Sequence, residues 1–222
     1  MASEVDICNT ALAHLGDSAT VMSISPPDPS AQAGHCARFY PMARNELLEM
    51  YSWGFATKRV ALALTTDTVS SWQYVYEAPA DSVSPQVVLS AGAGDDWSTP
   101  IMVPNTLTYA TTGMMGIYAP QPYRMGQGST GATVIYTNTP DAVLIYTAIV
   151  SDPSRFSPLF ISTLSYFLAA KLAGPIIKGQ EGRAVAAQML KLGQDVYSRA
   201  VESDANQQRT DIKQSVSWQV NR

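Results

Sequence analysis

Residues Gly126–Gly131, "GQGSTG", fit G-x-G-x-x-G. In that spacing a glycine turn lets a dinucleotide pyrophosphate approach the backbone at a helix N-terminus. The chemistry needs a strand before the glycines and a helix after them. Here "ATVIYT", a strand pattern, follows. No helix dipole faces the turn, which reads as a hairpin loop. Cys8, His14, His35 and Cys36 are metal-ligating types, but their spacing fits no common zinc finger or ribbon. Adjacent His35 and Cys36 on a helix would point about 100° apart. They read as packing thiols and ordinary imidazoles, so neither metal nor cofactor is expected. Asp95 and Asp96 are adjacent carboxylates in a Gly/Ser loop, which favours solvation over paired acid–base work. With two histidines and no G-x-S-x-G elbow, no nucleophile has an obvious base, and no enzyme is expected.

Composition narrows the partners. Only 14% of the 222 residues are charged, well below the quarter or so usual for a soluble domain. Low charge suits a surface partly covered by other chains. Residues 1–154 hold 5 Lys/Arg against 13 Asp/Glu, and residues 155–222 hold 9 against 5. Opposite charge on the two parts could steer head-to-tail packing between copies. With a pI near 5.1 and no basic cluster among aromatics, DNA would be excluded by an acidic surface rather than bound. Two cysteines give no disulfide framework. The N-terminal run has acids early and no basic-then-apolar order, so a secretory leader is not expected and a reducing cytosol fits.

These residues need elements to hold them. Val5, Cys8, Leu12 and Leu15 recur at helical steps and Gly16 stops them. A proline-rich loop leads to a second helix over 32–53, with Phe39, Ala43, Leu47 and Met50 on one face and Pro41 predicting a kink or restart. From about Ser71 to Val150 the period falls to two, in short runs rich in Val, Ile, Thr and Tyr, which predict one small antiparallel sheet. "SAGAGDDWSTP" and "PQPYRMGQGSTG" read as flexible loops within it. A third helix is expected over 157–173, closed by Gly174 and Pro175. Its apolar part, Leu159–Ala173, would span about 22 Å, short of a bilayer core of about 30 Å. It therefore reads as a helix buried among others. A fourth is expected over 179–203, with Val185, Met189, Leu192, Val196 and Ala200 on one face. The fold expected is α+β: a four-helix bundle (1–60 and 151–205), an inserted small antiparallel β-sheet (61–150) and an extended C-terminal arm (206–222).

Two stretches suit docking rather than catalysis. "YSWGFATKR" groups Trp53 and Phe55 at a helix end, followed by Lys58 and Arg59. The aromatics could close a core or anchor an interface. In "SVSWQVNR", Val216, Trp218 and Val220 alternate with polar residues. Such a strand cannot stand alone, so it is either a loose end or an arm that docks on another chain.

The order of blocks carries a resemblance. "EVDICNTALAHLG", then "CARFYPMARNELLEMYSWGFATKRVALA", then "WQYVYEAPAD" resembles the N-terminal half of the head-to-tail adaptor (tail tubular protein A) family of short-tailed bacteriophages. "VIYTNTPDAVLIYTAIVSDPSRFSPLFISTLSYFLAAKLAGPI" is similar to its C-terminal half. Residues 90–130 do not align. Pro41 stands where the family pattern has a helix-compatible acid. The resemblance implies a structural protein of the virion neck, assembled in the host cytoplasm. Twelve copies would form a ring between portal protein and tail nozzle protein and line the DNA channel, with no membrane partner. Interface residues carried over are Trp53, Phe55 and Arg59, then Asp152, Arg155 and Phe156 in the "DPSRF" block, and the arm with Val216, Trp218 and Val220. The alternative is a tail-completion or minor tail protein that contacts the nozzle only. A nucleotide-binding enzyme using Gly126–Gly131 comes last.

Overall fold

The computed structural model describes residues 2–18, 20–91 and 121–207. They fall into two units, one up to Ala56 and from Ala148 onward, the other from Thr57 to Thr147. The second is an insertion in the first.

The first unit is helical. α1 (Glu4–His14) starts at a reciprocal cap: Asp6 N donates to Ser3 Oγ and Ser3 N to the Asp6 carboxylate. Gly16, at φ 74°, takes the left-handed conformation just beyond its end. α2 (Ala31–Met50) is capped by Ser30 and runs unbroken through Pro41. Neither restart nor break occurs at Pro41, which costs the helix one backbone donor while the turns on either side hold. α3 (Pro158–Ile177) is capped by Ser157, with proline at the first helical position, where no donor is lost. α4 spans Gly179–Ala205.

Two expectations for α3 are corrected. Gly174 and Pro175 do not end it. The chain stops at Lys178 and Gly179, both at positive φ, while Lys178 N still donates to Gly174 O. At 20 residues α3 is about 30 Å long and apolar enough to cross a bilayer, so the length argument from sequence fails. Half of its most apolar window is buried within the chain itself.

The four-helix bundle is also corrected. α3 is a hub: α4 packs along it, α1 and α2 pack on it less extensively, and no other helix pair makes comparable contact. Two glycines explain the uneven packing. A Cβ on Gly182 would sit 2.9 Å from Ala173 O, and one on Gly193 2.9 Å from the Phe167 ring. Only glycine lets α4 lie this close to α3. The apolar core runs from Ile7, Cys8 and Leu12 through Cys36, Tyr40 and Leu47 to Phe160, Leu164 and Leu168.

The inserted unit holds two antiparallel sheets among its described residues, not one. In the first, β7 (Val143–Ala148) pairs with β1 (Thr57–Ala61) and lies beside β4 (Ser82–Leu89). The second has the order β2 (Ala63–Leu64), β3 (Tyr74–Glu77), β6 (Thr133–Thr137), β5 (Tyr123–Gln127). β1 and β5 lie in stretches without the apolar, β-branched runs that mark β6 and β7. Every residue of β1 after Thr57 is exposed, and β5 has no fully buried position, so neither leaves the period-two signal of a half-buried strand.

Candidate functional site

α2 ends at Met50, and the next residues turn through Tyr51, Trp53 and Phe55 into a short 3-10 turn, Gly54–Ala56. The returning chain makes a second 3-10 turn, Pro153–Arg155, opened by Asp152, whose Oδ1 accepts from Ser154 N at 2.9 Å. The Ser154 hydroxyl first, and then this backbone bond, hold the Asp152 carboxyl below its ordinary range. Phe156 follows and α3 begins. The two turns meet at one end of the helical unit.

Trp53 is fully buried, and its Nε1 donates to Leu47 O at 2.8 Å. Its ring meets Phe160 edge-on at 5.0 Å, Tyr51 at 5.1 Å and Tyr197 at 6.1 Å. Phe55 packs at a tilt on Phe156 at 5.6 Å and meets Phe160 edge-on at 5.0 Å. Arg155 Nη2 donates to Phe55 O at 3.0 Å, which ties the outgoing strand of chain to the incoming one. Tyr197 Oη donates to Met50 O, and Gly54 N donates to the buried Asp204 carboxylate at 3.0 Å, so α4 closes the cluster.

Five sequence-chosen residues thus converge: Trp53, Phe55, Asp152, Arg155 and Phe156. Trp53 and Phe156 are spent on the chain's own core, whereas Phe55 is half-buried and Asp152 and Arg155 are exposed. Arg59 lies apart, on β1 of the other unit, opposite Ile145. Val216, Trp218 and Val220 lie outside the described residues. Tyr197 and Asp204 were not picked out. Tyr197 sits one residue off the expected apolar face of α4, and a lone acid near a helix end carries no signal of burial.

The chemical motifs resolve as packing. Gly126 lies against the Tyr136 ring, and a Cβ on Gly128 would sit 2.6 Å from Asp67 Oδ2. The Asp67 carboxylate accepts from Ser129 N at 2.9 Å and from Ser129 Oγ at 2.6 Å. The turn's donors are therefore met by a carboxylate of the same chain. The hairpin loop expected at Gly126–Gly131 is the pinned end of the β5–β6 hairpin, and what differs from the flexible loop expected over 120–131 is that Tyr123–Gln127 is strand. Cys8 and Cys36 are fully buried in one core and their thiols meet; the hydrogen bond to Cys36, with burial, pushes the Cys8 thiol up, away from thiolate. His14 stacks on Tyr166 at 4.2 Å beside Ser165 Oγ, and burial lowers its pKa. Among the described residues no three His, Cys, Asp or Glu side chains gather as metal ligands. Asp95 and Asp96 lie outside those residues.

The sequence matches no protein-family model and no curated protein. The site is read from its own geometry: an aromatic end with a half-exposed margin of Tyr51, Phe55, Tyr197 and Met50.

Proposed function

We propose that this chain is a structural head-to-tail connector of a bacteriophage: twelve copies form a ring between portal and tail nozzle and line the DNA channel, without catalysis and without a membrane. The observation that carries the reading is the ordered set of adaptor-like blocks, whose two aromatic parts, "YSWGF" and "DPSRF", meet at one end of one helical unit. Low overall charge and opposite charge in the two parts of the sequence support repeated contact between copies. An acidic lumen would let DNA pass, because cation–phosphate contacts are what retain it. α3 then serves as the buried hub of the protomer rather than a span.

Negative-stain microscopy of the protein mixed with the portal protein of the same virion should show twelvefold rings on the portal. Monomers that never bind portal overturn the reading. Binding to the nozzle protein alone would instead favour a minor tail protein.

A further inference from the structure

The loop between α1 and α2 holds one large apolar side chain out into solvent. Met22 is 83% exposed. An isolated exposed methionine needs no explanation. This one sits on a backbone fixed on both sides. Val21 N donates to Asn9 Oδ1 and Asn9 Nδ2 to Val21 O, at 2.8 and 3.0 Å. Met22 N donates to Asp28 Oδ2 at 2.9 Å, Ser23 Oγ to Pro26 O at 2.7 Å, and Asp28 N to Ser23 O at 3.1 Å. Val21 and Ile24 are buried beneath. Met22 is a rigidly mounted knob.

The same unit carries a recess. A groove of about 280 Å³ opens where Glu46 of α2, Phe167, Ala170 and Lys171 of α3 and Ala187 and Leu190 of α4 meet. It is below the roughly 300–1,000 Å³ of ordinary small-molecule pockets and mostly apolar. A flexible, unbranched side chain such as methionine can enter it and adapt to its apolar wall. A copy cannot readily fill its own groove. The knob's loop is tied to the start of α2 through Asp28 and Ser30, and Ala31 lies 15 residues, about 22 Å of helix, from Glu46.

Charge favours a second copy as the occupant. Residues 2–37, which include the knob, carry four acids and no Lys or Arg. Within the groove Lys171 is paired with Glu46 at 2.6 Å, and the cations left beside it on α4 are Arg183 and Lys191, each about one turn from Ala187. Knob and groove differ and lie apart, so their contact is heterologous, the kind that builds rings when the rotation closes. We propose that Met22 of one copy seats in the α2–α3–α4 groove of the next. This rests on the self-assembly part of the function proposed above.

The test uses two full-length chains, Met22→Cys and Ala187→Cys. Both positions are exposed, so the fold should be kept, and Cys8 and Cys36 are too buried to compete. Each chain alone and the mixture are oxidised, with and without the portal protein. The mixture should give disulfide-linked dimer at least tenfold above either chain alone. Adding Arg183→Glu and Lys191→Glu to the Ala187→Cys chain should cut that yield several-fold. Rings on the portal without mixture-specific cross-linking would overturn the knob contact and leave the ring standing. Cross-linking in solution with no ring on the portal would uphold the contact and overturn the ring. Neither result in any condition would overturn both.

Discussion

At the residue scale, a few polar contacts set how firmly each unit holds together. Asp204 is buried, and its carboxylate accepts the Gly54 N–H at the start of the 3-10 turn after Trp53. Gly54 is exposed, so water can take the place of the lost acceptor, and Asp204→Ala should lower stability by the net worth of one hydrogen bond, about 0.5–1.5 kcal/mol, in urea unfolding. Asp204→Asn keeps an acceptor oxygen and should lose less; equal losses would mean that the bond is not what matters. In the inserted unit, Tyr146 Oη donates to Asp81 Oδ1 at 2.8 Å, and Lys58 pairs with the same carboxylate. Burial first, then Asp81, raises the Tyr146 pKa to about 12. A folded pKa above the unfolded value of about 10 means that the stabilisation is complete below pH 10 and is lost as pH rises through 12. Burial also raises Tyr40, Tyr51 and Tyr197, so absorbance titration at 295 nm should show several tyrosines ionising late, and Tyr146→Phe should take one tyrosine's amplitude out of that late phase along with about 1 kcal/mol of stability. Loss of that amplitude from the early phase, with the late phase unchanged, would refute the assignment. Asp81 moves the opposite way, held down by Lys58 and then Tyr146, so its contribution is lost as pH falls through its folded pKa.

At the element scale, the packing of α4 on α3 is decided by glycine, and this separates two substitutions of the same chemical kind. In a helix interior Gly→Ala ordinarily gains about 0.5–1 kcal/mol. Gly34→Ala in α2, with nothing within 4 Å of its Cβ and no proline after it, should realise that gain, unlike Gly174, whose new Cβ would meet the ring of Pro175. Gly182→Ala should reverse it, because the new methyl meets the Ala173 carbonyl, a backbone atom that cannot step aside. Thermal melts of both variants check the pair; stabilisation by both would show that the helices can part freely. Leu164, fully buried in α3, should cost about 2–5 kcal/mol as Leu164→Ala. Much of this level was legible beforehand. The four helices stand where the apolar spacing puts them, and β6 and β7 are runs rich in Val, Ile, Leu, Tyr and Thr. What could not be read has physical causes. Gly174–Pro175 carries a stop signal, yet a proline removes only one donor, and the positive φ that ends α3 falls on Lys178, a residue with no such preference. β1 and β5 bury no complete face. Gly182 and Gly193 look like weak helix positions until the neighbouring helix is in place. The site divides in the same way: Trp53, Phe55 and Phe156 announce themselves by type, while Tyr197 and Asp204 join only because α4 folds back along α3.

At the scale of the whole molecule, the order of the chain makes one unit an insertion in the other. The helical unit leaves at Ala56 and resumes at Ala148, and residues on either side of the gap touch: Phe55 packs on Phe156, and Arg155 donates to the Phe55 carbonyl. The ends of the insertion are therefore held near each other by helical-unit contacts alone. Closing a short loop between such ends costs little, since loop entropy grows only with the logarithm of length. The helical unit also owns a continuous core, from Ile7 and Leu12 through Trp53 to Leu168 and Ala200. Replacing residues 57–147 with a short Gly/Ser linker should thus leave a folded helical protein. Far-UV circular dichroism should show helix melting in one cooperative step, and the buried Trp53 should keep its blue-shifted emission. A chain that stays unfolded would mean that the β unit supplies core the helices lack. The same deletion separates roles: if copies meet through Met22 and the α2–α3–α4 groove, both surfaces survive it, and cross-linking between copies should persist without the inserted sheets.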